Sequence, residues 1–332
     1  MKTLTISLLT AALLAAAPAR AACNGSDILP ELRRQDGAAA ETIERQALAM
    51  PFASGKFFRL EKAGLKPSYL FGTMHVADPR VTAISAEVRK ALESARVAAF
   101  ELAEPGADKE DEVFAALGPK LADYIEARGE ERSDRLLSPE DLAKLEKAVE
   151  AAGMPAEAAR ELKPSFLALT LGQPTCRLAE GDKPVLDAQL AAIARKKRIR
   201  VVGLETMEEQ LAASTSFSPE DQRLMLQALL QVLDRREDIH ETTIRRYVAG
   251  EIGLMTAWSR HPGALPGRVT AVPPPSFEAT LIDERNGRMR DRALPHLARG
   301  GAFIAVGAAH LPGEKGLARL LEQSGYRVVR AD

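Results

Sequence analysis

Ala302-Phe303-Ile304-Ala305-Val306 is an apolar run of strand length, and Gly307-Ala308-Ala309-His310 brings an imidazole just past its end. Ser68-Tyr69-Leu70-Phe71 followed by Gly72-Thr73-Met74-His75 has the same form, with the two histidines 235 residues apart. Short apolar runs bounded by turn residues read as strands. Val97-Ala98-Ala99-Phe100 ends at Glu101, and Ile199-Arg200-Val201-Val202-Gly203-Leu204 ends at Glu205. Helical periodicity fills much of the chain between these runs. Residues 83–95 carry Ala83, Ile84, Val88, Ala91 and Leu92 at helical spacing, and Ser138-Pro139-Glu140-Asp141 and Ser218-Pro219-Glu220-Asp221 are capped helix starts. Strands alternating with helices predict an α/β fold.

Working outward, Lys56–Leu60 and Ser68–Phe71 form a hairpin through Gly64, and Tyr326–Arg330 is a last strand. A polar helix is predicted over Ile28–Ala49. Residues 107–197 are mostly helical and highly charged, which predicts an insertion or cap on the sheet. His261–Pro275 is a Pro/Gly-rich loop or lid, and residues 276–299 form a helix. The organisation expected is a signal at 1–21, an N-terminal segment at 22–55 and a main domain at 56–332.

Met1-Lys2, an apolar stretch from Leu4 to Ala17, Pro18 and Ala19-Arg20-Ala21 together read as a cleaved secretory signal. The stretch is too short to span a bilayer, and no later one approaches 18 apolar residues. Cys23 raises a lipid-attachment alternative, but Arg20 stands where such a signal wants an aliphatic residue. Losing Lys2 and Arg20 moves the net charge from −1 to −3, and neither value carries the basic footprint of a nucleic-acid partner. With 46% hydrophobic residues the chain can bury a sizeable core. Cys23 and Cys176 are the only two cysteines, and an oxidising compartment permits one disulfide between them. Export predicts a periplasmic or secreted location.

Open α/β sheets bind ligands beyond the carboxyl ends of their parallel strands. Four strands ending in His75, Glu101, Glu205 and His310 would bring two imidazoles and two carboxylates together there. That donor set suits a divalent metal such as Mn, Co, Zn or Fe. A catalytic site needs about three protein ligands and one open position. His75 and His310 are the metal ligands expected, with Glu101 as third ligand or general base and Glu205 as a spare carboxylate that moves the proton. His240-Glu241 is followed by Thr-Thr-Ile, so no His-Glu-x-x-His helix is present. His240, His261 and His296 read as surface or structural residues. On the helix 276–299, Ile282, Met289, Ala293 and Leu297 form an apolar stripe that contains Asn286 and borders Arg285. A buried Arg or Asn must be paired. Both either reach into the carboxylate-rich site or serve a structural salt bridge with an acid elsewhere.

Gly72-Thr73-Met74-His75, Glu101, Gly203-Leu204-Glu205-Thr206 with Gln210, Glu284-Arg285-Asn286 and Val306-Gly307-Ala308-Ala309-His310-Leu311 occur in an order that resembles the TraB/GumN family, related to the Tiki metalloproteases. The resemblance spans about residues 56–330. Cys23-Asn24-Gly25-Ser26-Asp27 and Cys176 look like a secreted branch of that family. The resemblance implies a mixed, largely parallel sheet similar to the erythromycin-esterase/ChaN group. It also implies a divalent-metal, peptidase-like site using His75, His310 and Glu101. The function expected is a metal-dependent hydrolase of peptides or small molecules in the cell envelope. The alternative is a non-catalytic envelope protein that captures a peptide, a signal molecule or a haem-like ligand in the same crevice.

Overall fold

The computed structural model describes residues 23–103, 118, 120–174, 176, 183–265 and 273–332. The predicted signal lies outside them, as do parts of the predicted insertion and of the His261–Pro275 loop. Six strands form one sheet: β1 (Phe57–Glu61), β2 (Ser68–Thr73), β3 (Val97–Phe100), β4 (Arg200–Gly203), β5 (Ala302–Gly307) and β6 (Arg327–Arg330), in the order β4-β3-β5-β2-β1-β6. The four strands β4, β3, β5 and β2 run parallel, whereas β1 pairs antiparallel with both β2 and β6. The fold is therefore α/β with a mixed, mostly parallel sheet. The expected hairpin is β1–β2, turned at Gly64 with φ 77°.

Side chains alternate across each strand, so every run divides between two cores. Phe57, Phe71, Ala98, Phe100, Phe303 and Ala305 pack on one face with the helices Ala86–Glu93 and Leu186–Lys196. Phe58, Leu70, Val97, Ala99, Ile304 and Val306 pack on the other face with Glu284–Leu297 and Leu317–Gln323. Strands β3 and β5 lie inside both layers, which is why their sequences are continuous apolar runs rather than alternating ones. Strands β4 and β6 are the edges and keep arginines in solvent.

Leu186–Lys196 falls within the segment predicted as an insertion, yet it packs on the sheet as the crossover from β3 to β4. The helices that build their own apolar cluster away from the sheet include Pro139–Ala151, Pro164–Leu171 and Pro219–Val232, joined through Leu145, Leu167 and Leu226. The Ser138 and Ser218 hydroxyls cap their helices by accepting from the Asp141 and Asp221 N–H groups, as the sequence predicts. The helix expected over residues 83–95 begins only at Ala86, capped by Ser85.

The single N-terminal helix expected over Ile28–Ala49 is two, Ile28–Gln35 and Gly37–Ala49. Asp36 makes the break: its N–H donates to the Leu32 carbonyl while its side chain accepts from the Ala39 N–H, ending one helix and capping the next. This segment packs on Ala257 and Trp258 and is joined to the rest of the chain by the Cys23–Cys176 disulfide, closing 153 residues. On the chain-entropy model such a bridge stabilises the fold by up to about 5 kcal/mol. Reduction should therefore lower the urea midpoint, and denatured, unreduced protein should show no titratable thiol. Two reactive thiols per chain would refute the bridge.

The helix predicted over residues 276–299 is interrupted. Pro275–Glu278 runs into a π-helical segment, Ala279–Asp283, before Glu284–Leu297. Met289, Ala293 and Leu297 face the sheet as the stripe predicts. Within the wider π turn Ile282 lies off that face and packs against the cluster of Ala213, Phe217, Met225 and Leu281 instead.

Candidate functional site

His75, Glu101, Glu205 and His310 all lie just past the carboxyl ends of the parallel strands β2, β3, β4 and β5. Glu101 is the meeting point. Its Oε1 lies 3.9 Å from His75 Nε2 and 3.8 Å from His310 Nε2. The same oxygen accepts the Gly307 N–H at 2.6 Å. The strand order explains the convergence, because β5 sits between β3 and β2 and so carries Gly307 and His310 between Glu101 and His75.

Each imidazole is oriented from behind. His310 Nδ1 lies 2.8 Å from Asn286 Oδ1, and Asn286 Nδ2 donates to the Lys315 carbonyl at 2.9 Å. A carbonyl can only accept, so the amide must present its oxygen to His310, and Nδ1 must carry the proton. The His310 Nε2 lone pair then faces Glu101. His75 Nδ1 lies 2.8 Å from Asp187 Oδ2, while Asp187 Oδ1 accepts from the Thr73 hydroxyl at 2.6 Å. Against that carboxylate, Nδ1 of His75 is again the donor. Imidazoles that ligate metals are commonly fixed in this way, through a carboxylate or carbonyl on the second ring nitrogen.

Asp187 is the member of this cluster that sequence reading missed. No strand end or glycine accompanies it, and it lies in the segment predicted as an insertion. A signal was present nonetheless. Leu186, Asp187, Leu190, Ala191 and Ala194 are the buried face of their helix, so an acid occupies an apolar stripe.

Arg285 connects the two glutamates. Its Nη2 donates to Glu101 Oε2 and to Glu205 Oε2, each at 2.7 Å, and its Nε reaches Glu205 at 3.0 Å. Gln210 donates to Glu101 at 3.1 Å, and Arg288 reaches Glu205 at 3.3 Å. The two alternatives for Arg285 therefore merge, because the acids of its salt bridge are those at the strand ends. Glu205 is fully buried within this pairing.

Burial alone would raise the Glu101 carboxyl, but the neighbouring imidazoles, Arg285 and the Gly307 N–H outweigh it and hold the group at about 2. Burial pushes His310 down to about 4, against the opposing pull of Glu101. His310 is thus neutral at pH 7. There the Arg285 charge and the Gly307 N–H keep Glu101 ionised.

A neutral imidazole lone pair facing an ionised carboxylate sets two acceptors against each other, a pairing that a cation or a hydrogen-bond donor between them would relieve. Space for such a group is kept by glycine. A methyl at Gly307 would lie 3.2 Å from Glu101 Oε1, 3.5 Å from His310 Cδ2 and 3.8 Å from His75 Nε2. Gly307 has φ −51°, so its backbone would tolerate a side chain, and what the glycine spares is room beside Glu101. Gly72 is likewise steric, because a methyl there would meet Leu311 Cδ1 at 2.5 Å. Among the described residues no three His, Cys, Asp or Glu side chains form a ready-made metal-holding group. Ligands sharing one ion at ~2.1 Å would stand roughly 3.0–3.4 Å apart. The imidazole–carboxylate gaps of 3.9 and 3.8 Å would need to close by roughly 0.4–0.9 Å. The donor types and their orientation fit a divalent ion. Gly307→Ala should leave the melting temperature within a few degrees of wild type yet weaken divalent-ion binding at least ten-fold. Calorimetric titration checks this, and unchanged affinity would show that nothing binds in the Gly307 cradle.

His75 is the open side of the cluster, its side chain half-exposed, whereas Glu101 and His310 are buried. His240 is buried beside the Asp78–Arg80–Glu241 network, His261 Nδ1 accepts the Gly263 N–H, and His296 is half-buried far along its helix. None of these three joins the cluster. A separate apolar cavity of about 250 Å³, lined by Met225, Leu229, Trp258 and Phe277 among others, shares no lining residue with it. Polar chemistry rather than volume marks the site.

No curated protein and no solved structure matches the chain. A model of the TraB/PrgY/gumN family matches residues 57–330, a span that holds all six strands and all the residues gathered around Glu101. The chain belongs to the TraB/PrgY/gumN family.

Proposed function

We propose that this family member is an exported metal-dependent hydrolase, peptidase-like, acting on peptide or small-molecule substrates in the cell envelope. The observation that carries the reading is the convergence of two oriented imidazoles on one ionised carboxylate. A divalent ion, when bound, supplies Lewis acidity toward a carbonyl oxygen and toward water. His75 and His310 hold it, and Asp187 and Asn286 fix their rings. A general base works best with a pKa near the operating pH. Glu101, held near 2, suits a ligand better than a base. Arg285 keeps Glu101 anionic and tethers it to Glu205. The half-exposed side of His75 is where a substrate would enter. Export accords with the Cys23–Cys176 disulfide. No helix among the described residues is long and apolar enough to cross a membrane.

Metal analysis of the purified chain, followed by peptide-library cleavage with and without chelator, tests the reading. We expect about one divalent ion per chain, and cleavage that chelation abolishes and metal restores. Loss of the outer partner of a ligating histidine typically weakens metal binding 10–100-fold. Asp187→Asn should do so while the fold survives. Metal binding without turnover on any substrate would favour the capture reading. A chain that binds none of Mn, Co, Zn or Fe would end the hydrolase one.

A further inference from the structure

The opposite end of the sheet has a different character. At the amino ends of the parallel strands, Val97 of β3 pairs with Arg200 of β4 and with Ala302 of β5. Arg96 therefore stands beside Arg200, and its N–H donates to the Gly301 carbonyl at 2.7 Å. Its guanidinium reaches back to the His296 and Gly300 carbonyls, at the end of the helix that leads to Arg299. A methyl on Gly301 would touch both Lys66 and Arg96, so Lys66 joins the same rim. Arg198, in the left-handed turn (φ 56°) between Leu186–Lys196 and β4, lies at the same amino end.

All five cations, Lys66, Arg96, Arg198, Arg200 and Arg299, are exposed. Lys66 and Arg96 donate to backbone carbonyls. No carboxylate among the described residues pairs with any of the five. The nearby Glu93 is taken by Lys197 at 3.0 Å. The crowding is felt locally: burial first, then the charges of Arg200, Arg96 and Arg299, push the His296 imidazole down. The chain as a whole has 45 basic and 46 acidic residues, so five rim cations without a carboxylate partner among the described residues are a real asymmetry.

We infer that this basic rim docks the protein on the headgroups of an anionic phospholipid surface. Charge complementarity argues for polyanion binding, because juxtamembrane basic clusters are drawn to anionic leaflets within about a Debye length. Lipid is favoured over nucleic acid because the whole chain has a net charge of −1, without the overall basic footprint of a nucleic-acid binder, and no aromatic ring among the described residues is exposed for base stacking. No large apolar side chain is exposed on the rim either, so adsorption is electrostatic and salt-reversible. Docked this way, the protein turns the His75 side of the sheet away from the lipid. The inference stands independently of the hydrolase reading.

Co-sedimentation of the full chain with vesicles of phosphatidylglycerol and phosphatidylcholine tests it, against vesicles of phosphatidylcholine alone. Binding to the anionic vesicles at low salt and release at high salt are expected. Arg200→Glu with Arg299→Glu should lower the partition coefficient at least ten-fold. Arg200→Gln with Arg299→Gln should lower it less, and Lys144→Glu with Lys147→Glu, on a distant helix, should leave it within two-fold. Thermal unfolding of each variant shows that the fold is retained. No binding of wild type to anionic vesicles would overturn the inference, as would equal binding by the charge-reversed rim. Capture of the protein by DNA or heparin without vesicle binding would overturn it too.

Discussion

His310→Ala should raise the dissociation constant for a divalent ion at least 100-fold and abolish chelator-sensitive hydrolysis, while His261→Ala changes neither. The asymmetry follows from position. His310 is buried, its tautomer is fixed by Asn286, and its Nε2 faces Glu101 at 3.8 Å. His261 instead accepts a loop N–H and does not reach Glu101. A 100-fold loss is about 2.7 kcal/mol of binding. His75→Ala should show a comparable loss, because its Nε2 faces the same oxygen. The acid response of metal-free protein gives a second readout. His310 titrates at about 4 when folded, well below the roughly 6.5 of an unfolded imidazole. As pH falls from about 6.5 to 4, the unfolded chain binds this proton and the folded chain does not, so stability drops through that window. The linked loss is on the order of 3 kcal/mol, and His310→Ala should be missing most of it. Urea unfolding at pH 7 and pH 4.5 measures the difference. If His310→Ala kept full metal affinity, the site built around Glu101 would be wrong.

Arg285→Met should be the most destabilising single change at the site, by about 3–5 kcal/mol, because removing one partner of a buried ion pair leaves an uncompensated charge. Glu205 is fully buried and loses its two-pronged partner, and Glu101 loses a donor at 2.7 Å. Arg285→Lys should recover only part, because an ammonium cannot reproduce the fork that spans two carboxylates. Arg285→Met combined with Glu205→Gln removes one of the two stranded charges, so a good part of the stability should return. Hydrolysis should not return, because Glu101 remains unanchored. Chemical unfolding beside an activity assay gives both quantities. Recovery of stability and activity together would assign Arg285 to structure alone. Carboxylate protonation has its own pH window. The Glu101 carboxyl sits near 2 in the folded chain, so its stabilisation is present above the unfolded value of roughly 4.3 and is lost as pH falls toward 2. Most of that loss lies below the window of His310.

Some of the site was legible as pattern. Gly-x-x-His after an apolar run, and Glu after two others, identify strand ends, because a parallel strand buried on both faces is spelled as an apolar block. The Ser-Pro-Glu-Asp helix starts were equally readable, because a cap is made by residues three apart. Asp187 was not. An acid in an apolar stripe marks the position, but its partners Thr73 and His75 lie more than 110 residues away and nothing near Asp187 in the chain names them. The π turn before Arg285 was also illegible, since nothing in Ala279–Asp283 distinguishes it from ordinary helix.

The sequence by itself determined where the strands lie, the helical segments though not their breaks at Asp36 and Ala279–Asp283, the family, and which side chains stand at strand ends. These rest on contacts between near neighbours in the chain and on the burial pattern of each run. Only the tertiary structure decided that β5 inserts between β2 and β3, and this order brings His75, Glu101 and His310 together. It also decided that Arg285 pairs with the glutamates at the ends of β3 and β4 and that Asp187 stands behind His75. The reason is physical. Strand order and helix crossover are set by which apolar faces the whole chain can bury at once, and no single window of sequence holds that information.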